Sequence, residues 1–187
     1  MATVRQRISR SVGIEAAPEV VELFAWHDGI DDRAWTQDRV GTGFARVFGD
    51  AHFAPLDDAI REYRQRIEGD VVTARYASPG AAVTTWRRSW FPVFCQGWET
   101  YAVECDPERS DHRQVYDPAW EPPVGDYPAA RFRDLLHLVE MVIRRFESDG
   151  YWWDPDARFL EERTEVLQPL AEREVAETRA QVPERPS

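Results

Sequence analysis

Apolar side chains recur at helical spacing in three parts of the chain. The first, residues 18–26, begins with a proline and is followed by Gly29, as is typical of a helix with defined ends. A second helix is predicted over residues 56–67, closed by Gly69. The third stretch is the clearest and ends at Gly150. Its apolar positions are Phe132, Leu135, Leu136, Val139, Val142, Ile143 and Phe146.

Between the second and third helices the pattern changes to short runs of β-branched and aromatic residues. Residues 90–94 and 100–105 lie on either side of a short polar break and predict an antiparallel hairpin. The other predicted strands are residues 71–76, 82–86, 113–116 and 151–153, with one more at 44–48 inside a loop over 30–50. Strands grouped between helices predict an α+β fold, with a small, mostly antiparallel sheet flanked by helices.

Most of the 187 residues fit one domain. We expect an N-terminal arm at residues 1–13, a single domain over residues 14–160, and a charged C-terminal helix with a tail at residues 161–187. The last segment is rich in Glu, Arg and Ala, which is typical of a solvated helix. Pro169 is expected to break it.

The charge of the chain is strongly negative, because 34 acidic residues against 23 basic ones give a formal net charge of −11. Every basic residue is an arginine, which excludes lysine chemistry such as Schiff-base formation. Such a chain is a poor general binder of nucleic acid or anionic membrane, but it suits a basic protein partner. No apolar run is long enough to predict a membrane span.

Two cysteines are too few for a disulfide framework. In the predicted hairpin, Cys95 lies beside the turn and Cys105 at the far end, which is too distant for a disulfide bond. We interpret both as reduced thiols, which favours a cytoplasmic location.

The sequence holds no nucleotide-binding, zinc-protease or serine-hydrolase motif. We interpret His27 as the end of the first helix, His52 and His112 as loop residues, and His137 as a surface residue of the last helix. Cys95 follows an apolar run, so we interpret it as a buried thiol and not as a nucleophile. We therefore expect no catalytic residue, no metal site and no cofactor.

Aromatic residues are concentrated between positions 86 and 120, and most are expected to fill the core face of the sheet. Trp98 and Trp120 are the exceptions, because both fall in predicted loops beside carboxylates. An exposed Trp next to acidic side chains is typical of a contact for a basic partner. The predicted contact surface is Trp98, Glu99, Asp106, Glu108, Asp111, Asp117, Trp120 and Glu121.

The order of these segments resembles the SUKH superfamily, which contains the fungal Smi/Knr cell-wall assembly regulators and many bacterial toxin-immunity proteins. The resemblance is carried by residues 18–29 (Pro-led helix and Asp-Gly turn), 89–94 (Ser-Trp-Phe-Pro-Val-Phe), 101–107 (strand ending in Asp-Pro), 113–116 (Arg-Gln-Val-Tyr), 132–136 (Phe-Arg-Asp-Leu-Leu) and 150–154 (Gly-Tyr-Trp-Trp-Asp). The hairpin turn at residues 95–99 departs from the family, whose turn is richer in Gly and in Asp or Asn.

The resemblance implies an α+β fold without catalytic residues or cofactor, and a role in binding other proteins. The leading hypothesis is an immunity-type protein that neutralises a cognate toxin, such as a nuclease, by covering its basic surface. One alternative is a housekeeping regulator or scaffold of the same fold, as in the fungal branch. A second alternative is an enzyme whose site combines His27 and His52 with distant carboxylates.

Overall fold

A computed structural model describes residues 3–29, 52–76, 86–96, 99–117, 130–154 and 159–181. Within these ranges the helices are α1 (Val4–Val12), α2 (Pro18–Trp26), α3 (Leu56–Tyr76), α4 (Leu135–Glu147) and α5 (Thr164–Gln181). The strands are β1 (His52–Phe53), β2 (Trp90–Gln96), β3 (Glu99–Glu104), β4 (Val115–Tyr116), β5 (Tyr151–Asp154) and β6 (Phe159–Glu162). The fold is α+β, as the sequence pattern predicts.

The main sheet has the strand order β1-β2-β3-β4, and every neighbouring pair is antiparallel. Its centre is the predicted hairpin, in which Trp90 lies opposite Glu104 and Gln96 lies opposite Glu99. The register shifts between Pro92 and Phe94, where a proline cannot donate to the ladder. Strands β5 and β6 form a separate antiparallel pair.

The hairpin register separates the two cysteines in the predicted way. Cys95 pairs with Thr100 beside the turn, whereas Cys105 follows the opposite end of β3. Both are free thiols.

Helix α2 has the predicted start, with Pro18 in its first turn, and it ends at Trp26 with His27 as an extended C-cap, so Gly29 is not its cap. Gly29 then adopts a φ of +74°, and an added Cβ there would lie 2.1 Å from the backbone nitrogen of Pro55. Only glycine fits this left-handed position, where two backbone segments meet. Asp28 completes the junction, because its carboxylate accepts a 2.8 Å hydrogen bond from the backbone N–H of Leu56 at the start of α3.

Helix α3 is longer than predicted: it continues through Gly69 and ends at Tyr76. The predicted helix end at Gly69 and the predicted strand at residues 71–76 are therefore wrong. A single glycine inside a helix costs only about 1 kcal/mol, which the neighbouring turns offset. The predicted strand at 44–48 lies outside the described residues, as does all of 82–86 except Trp86.

Two helices, at residues 4–12 and 164–181, differ from what the sequence pattern predicts. Residues 4–12, within the expected arm, form α1, which is held by a Thr3–Gln6 capping box and places Ile8 fully in the core. Helix α5 continues through Pro169 instead of breaking there. Buried Leu167 and Glu174 lie on either side of the proline, so packing holds both halves of this helix in place.

The core lies between the main sheet and helices α1 to α4. Most of the clustered aromatics are buried there, as predicted: Trp86, Trp90, Phe91, Phe94 and Tyr101. The surface position expected for His137 is wrong. Its side chain is buried, and its Nδ1 accepts a 3.3 Å hydrogen bond from the backbone N–H of Arg133. No helix among the described residues is both long and apolar enough to cross a membrane.

Candidate functional site

The loop that joins β3 to β4, residues 105–114, carries three of the predicted contact residues. We call it the acidic loop. Its base is closed by two backbone hydrogen bonds, from Glu104 N–H to the Gln114 carbonyl (2.9 Å) and from Arg113 N–H to the Glu104 carbonyl (2.8 Å). Arg113 adopts a φ of +75°, which lets the chain turn back into β4. The sheet therefore fixes both ends of the loop.

Beneath the loop lies a buried ionic cluster, formed by Arg87, Glu104, Arg109, Asp111 and Tyr116. Arg87 donates to Asp111 at 2.7 Å and lies 3.5 Å from Glu104. Arg109 donates from its Nε to Asp111 at 2.8 Å and lies 3.1 Å from Glu104. The Tyr116 hydroxyl donates to Asp111 at 2.8 Å. Two guanidinium groups thus face two carboxylates, and the charges of the cluster balance.

The cluster fixes the ionisation of its members. Burial acts to raise the pKa of Asp111, but hydrogen bonds from Arg109, Tyr116 and Arg87 outweigh it and hold that pKa well below its ordinary value. Burial and the bond to Asp111 raise the pKa of Tyr116. The carboxylate is therefore charged, and the phenol neutral, at neutral pH.

Aromatic rings enclose one side of the buried ionic cluster. Trp90 stacks on Tyr116 with ring centroids 4.6 Å apart. The guanidinium carbon of Arg87 lies 5.2 Å from the Trp90 ring centroid and 5.4 Å from that of Tyr116. Arginine suits this position because its planar cation packs on ring faces while its edge donates to carboxylates.

The predicted contact residues differ in their exposure and in their place in the fold. Asp111 is only 9% exposed, so it supports the acidic loop from beneath and is not a surface acid. Asp106 is half-buried and accepts a 3.0 Å hydrogen bond from the backbone of Glu108, whose own side chain is exposed. Asp117 follows β4, is half-buried and pairs with Arg131. Trp98, Trp120 and Glu121 lie outside the described residues, and only the backbone of Glu99 is described, in β3.

The structure also places an exposed tryptophan beside a carboxylate at a position that sequence reasoning missed. Trp26, at the end of α2, is 80% exposed, and exposed Glu22 lies one helical turn before it. The helical periodicity of α2 could have predicted this exposure. Val20 and Phe24 occupy the buried face of α2, so a residue two positions after Phe24 must lie on another face.

The thiols are poorly suited to nucleophilic chemistry. Burial raises the pKa of Cys105 to about 12, and burial together with nearby Glu62 raises the pKa of Cys95 further. A nucleophilic cysteine needs the opposite shift. Cys105 is buried and Cys95 is half-buried, so the expected full burial of Cys95 is only partly met.

The histidines are dispersed over different elements. His27 caps α2, His52 belongs to the short strand β1 instead of the expected loop, and His112 lies in the acidic loop. Across the described ranges, no group of three or more His, Cys, Asp or Glu side chains is arranged to hold a metal ion.

No protein-family model matches this chain, and no curated protein matches its sequence.

Proposed function

We propose that this protein is a binding module of the immunity type, which neutralises a cognate toxin by covering its basic surface. The proposal also includes membership of the SUKH superfamily, action in the cytoplasm, and a mode of action that involves no catalysis. The acidic loop and the flanking Asp117 form the proposed contact region. Trp98 and Trp120 stay predicted aromatic contacts, because both lie outside the described residues.

The observation that supports this proposal best is the construction of the acidic loop. Exposed Glu108 and half-buried Asp106 lie on a loop whose base is held by the sheet and whose underside is held by the buried ionic cluster. A loop fixed before binding loses little conformational freedom when a partner docks. Asp111 contributes by positioning the loop and not by contact with a partner.

The net charge of −11 supports the same partner chemistry. A nuclease that holds phosphate groups has a basic active site, and an acidic protein can block that site. Opposite charges on the two surfaces also accelerate association, by an amount that falls as salt is added.

Capture from the native organism tests this proposal. The tagged protein is incubated with lysate at low and at high salt, and retained proteins are identified by mass spectrometry. We expect a basic protein that elutes as salt rises. A partner that is not basic, or one whose retention ignores salt, would contradict the proposal.

The contact region is tested with the captured partner and two charge reversals. We expect Glu108→Arg to slow association about tenfold or more. The control is Glu165→Arg, which makes the same charge change at an exposed position in the first turn of α5. Equal effects of the two variants would exclude the acidic loop as the contact.

Toxin neutralisation is distinguished from regulation by co-expression. The captured partner alone should arrest growth of a bacterial host, and co-expression of this protein should restore it. A partner that is harmless by itself would overturn the immunity role and leave a binding module of another kind.

A further inference from the structure

Helix α4 carries a second apolar face that the described part of the chain leaves exposed. Leu136, Val139, Ile143 and Phe146 are 64%, 42%, 49% and 41% exposed. Their spacing of three, four and three residues places them on one side of the helix, and we call this side the α4 stripe. Its total apolar area, on the order of several hundred Å², is as large as the largest patch of a typical monomer.

The opposite side of α4 packs against the rest of the protein. Leu135, Leu138 and Met141 are buried in the core. Arg145 meets Glu174 of α5 at 2.6 Å. Within the α4 stripe, Phe146 also contacts the fold, because its ring centroid lies 4.8 Å from that of Tyr151. Leu136, Val139 and Ile143 remain exposed beside these contacts.

Two carboxylates border the α4 stripe. Glu140 lies one turn after Leu136, and Glu147 lies one turn after Ile143. Neither forms an ion pair with any described residue, and Glu147 is exposed. An apolar row with an acidic edge favours a partner that offers apolar side chains with a basic edge.

The spacing and size of the α4 stripe indicate what shape of partner fits. Apolar residues at alternating three- and four-residue intervals are the pattern against which another helix packs. A stable dimer buries roughly 800 Å² on each partner, more than this stripe supplies. A second copy would also bring together two chains that each carry a net charge of −11.

We infer that the α4 stripe docks an amphipathic helix of another protein, whose apolar face covers Leu136, Val139, Ile143 and Phe146 and whose Lys or Arg residues face Glu140 and Glu147. This inference is independent of the acidic loop and of the toxin partner.

The test uses two synthetic peptides of about 18 residues, long enough to form helix on binding. Both carry Leu at alternating three- and four-residue intervals. One has Lys and the other has Glu beside the leucines. Fluorescence anisotropy measures their binding to the full chain, and we expect the Lys peptide to bind about tenfold or more tightly than the Glu peptide.

Two double variants separate the apolar and the charged contributions. Leu136→Ser with Ile143→Ser should weaken Lys-peptide binding about tenfold or more. Glu140→Arg with Glu147→Arg should reverse the preference, so that the Glu peptide binds more tightly. The control is Trp26→Ser, which removes an apolar side chain that is 80% exposed on α2 and should leave binding unchanged. Thermal unfolding confirms that each variant is folded.

Three results would overturn the inference. One is equal binding of the two peptides or binding of neither. Another is a dimer of the wild-type chain in sedimentation equilibrium that Leu136→Ser with Ile143→Ser converts to monomer, because the occupant would then be a second copy. The third is binding to zwitterionic lipid vesicles that the same variant abolishes, because the stripe would then be a membrane contact.

Discussion

The carboxylate of Asp111 accepts hydrogen bonds from two arginines and one tyrosine in a setting almost closed to solvent. Each donor belongs to a different part of the chain: Arg87 precedes β2, Arg109 lies in the acidic loop and Tyr116 lies in β4. One residue thus joins three segments, and the position of the acidic loop depends on its charge.

We predict that Asp111→Asn destabilises the protein by about 2–4 kcal/mol at pH 7, because a buried arginine loses its charged partner. The pKa of Asp111 is lower in the folded than in the unfolded state. Its contribution is therefore complete above the ordinary carboxyl pKa of about 4 and is lost as pH falls below it. Chemical denaturation from pH 7 to pH 2 should show the two proteins converging in acid. The control Glu108→Gln, at an exposed position, should change stability little.

The buried thiol of Cys105 gives a second prediction at this scale. Because burial raises the pKa of Cys105 to about 12, its thiolate is scarce at pH 8, and iodoacetamide should modify it at least about a hundredfold more slowly than an unfolded cysteine. Its contribution to stability is complete below the ordinary value of 9.0 and is lost as pH rises towards 12. The control Ser110→Cys, at an exposed loop position, should react at the ordinary rate. Fast native-state labelling of Cys105 would contradict its burial.

At the scale of single elements, helix α3 continues through a glycine that by itself favours a helix end. Gly69 favours a helix end, yet the helix continues for seven more residues to Tyr76. Earlier turns are fixed by packing, since Leu56, Ala59, Ile60 and Tyr63 are buried in the core. Once such a helix has formed, each added residue gains a backbone hydrogen bond, so a single glycine does not end it.

Gly69→Ala should therefore raise the free energy of unfolding by about 0.5–1 kcal/mol, since alanine loses less backbone entropy in a helix. An added Cβ there meets no other atom within 4 Å. The matched control is Gly13→Ala, which also meets no atom but sits at a φ of +74°, so this variant should destabilise. Thermal unfolding measures both, and a loss of stability in the Gly69 variant would contradict a helix through this position.

At the scale of the whole molecule, α5 is joined to the body by ion pairs with α4 and by the packing of Leu167 on Tyr151 of β5. Arg145 and Glu174 meet at 2.6 Å in a largely buried setting, whereas Arg144 and Glu177 meet at 3.3 Å with both side chains about half exposed. The buried pair has lost its hydration, so it tolerates the loss of one partner poorly. The exposed pair is weak because water screens it.

We predict that Glu174→Gln costs about 2–4 kcal/mol and lowers the hydrogen-exchange protection of α5 more than that of the main sheet. Glu177→Gln is the matched control and should cost about 0–1 kcal/mol. Equal protection of α5 in both variants would show that the buried pair does not hold this helix.

Several acidic residues that look free in the sequence are paired with arginines in the folded molecule. The predicted contact surface contains Asp111 and Asp117, and both carboxylates face arginines in the folded chain. The exposed acid that remains in the acidic loop is Glu108. Because Asp111 and Asp117 are paired within the chain, Glu108 is the exposed acid of the acidic loop that a partner can contact. The Glu108→Arg variant therefore tests the proposed contact region directly.

Elements whose signals are local could be predicted from the sequence without the structure. Pro18 set the start of α2, and the polar break between residues 94 and 100 set the central hairpin and the separation of the cysteines. Periodicity identified α4 but predicted its start at Phe132, three residues early. Asp134 caps this helix, so Phe132 lies outside it and forms a backbone bridge to Val115. These elements are predictable because their boundaries depend on the backbone preferences of residues that are neighbours in the sequence.

Other features could be known only from the folded structure, because they depend on contacts between residues that are distant in the sequence. Strand β1 is two residues long, and its pairing with β2 defines it. The burial of His137, the central position of Asp111 and the exposure of the α4 stripe depend on which segments meet. A helix with apolar residues on two sides does not show in its sequence which side the fold will cover, because the covering residues come from elsewhere in the chain.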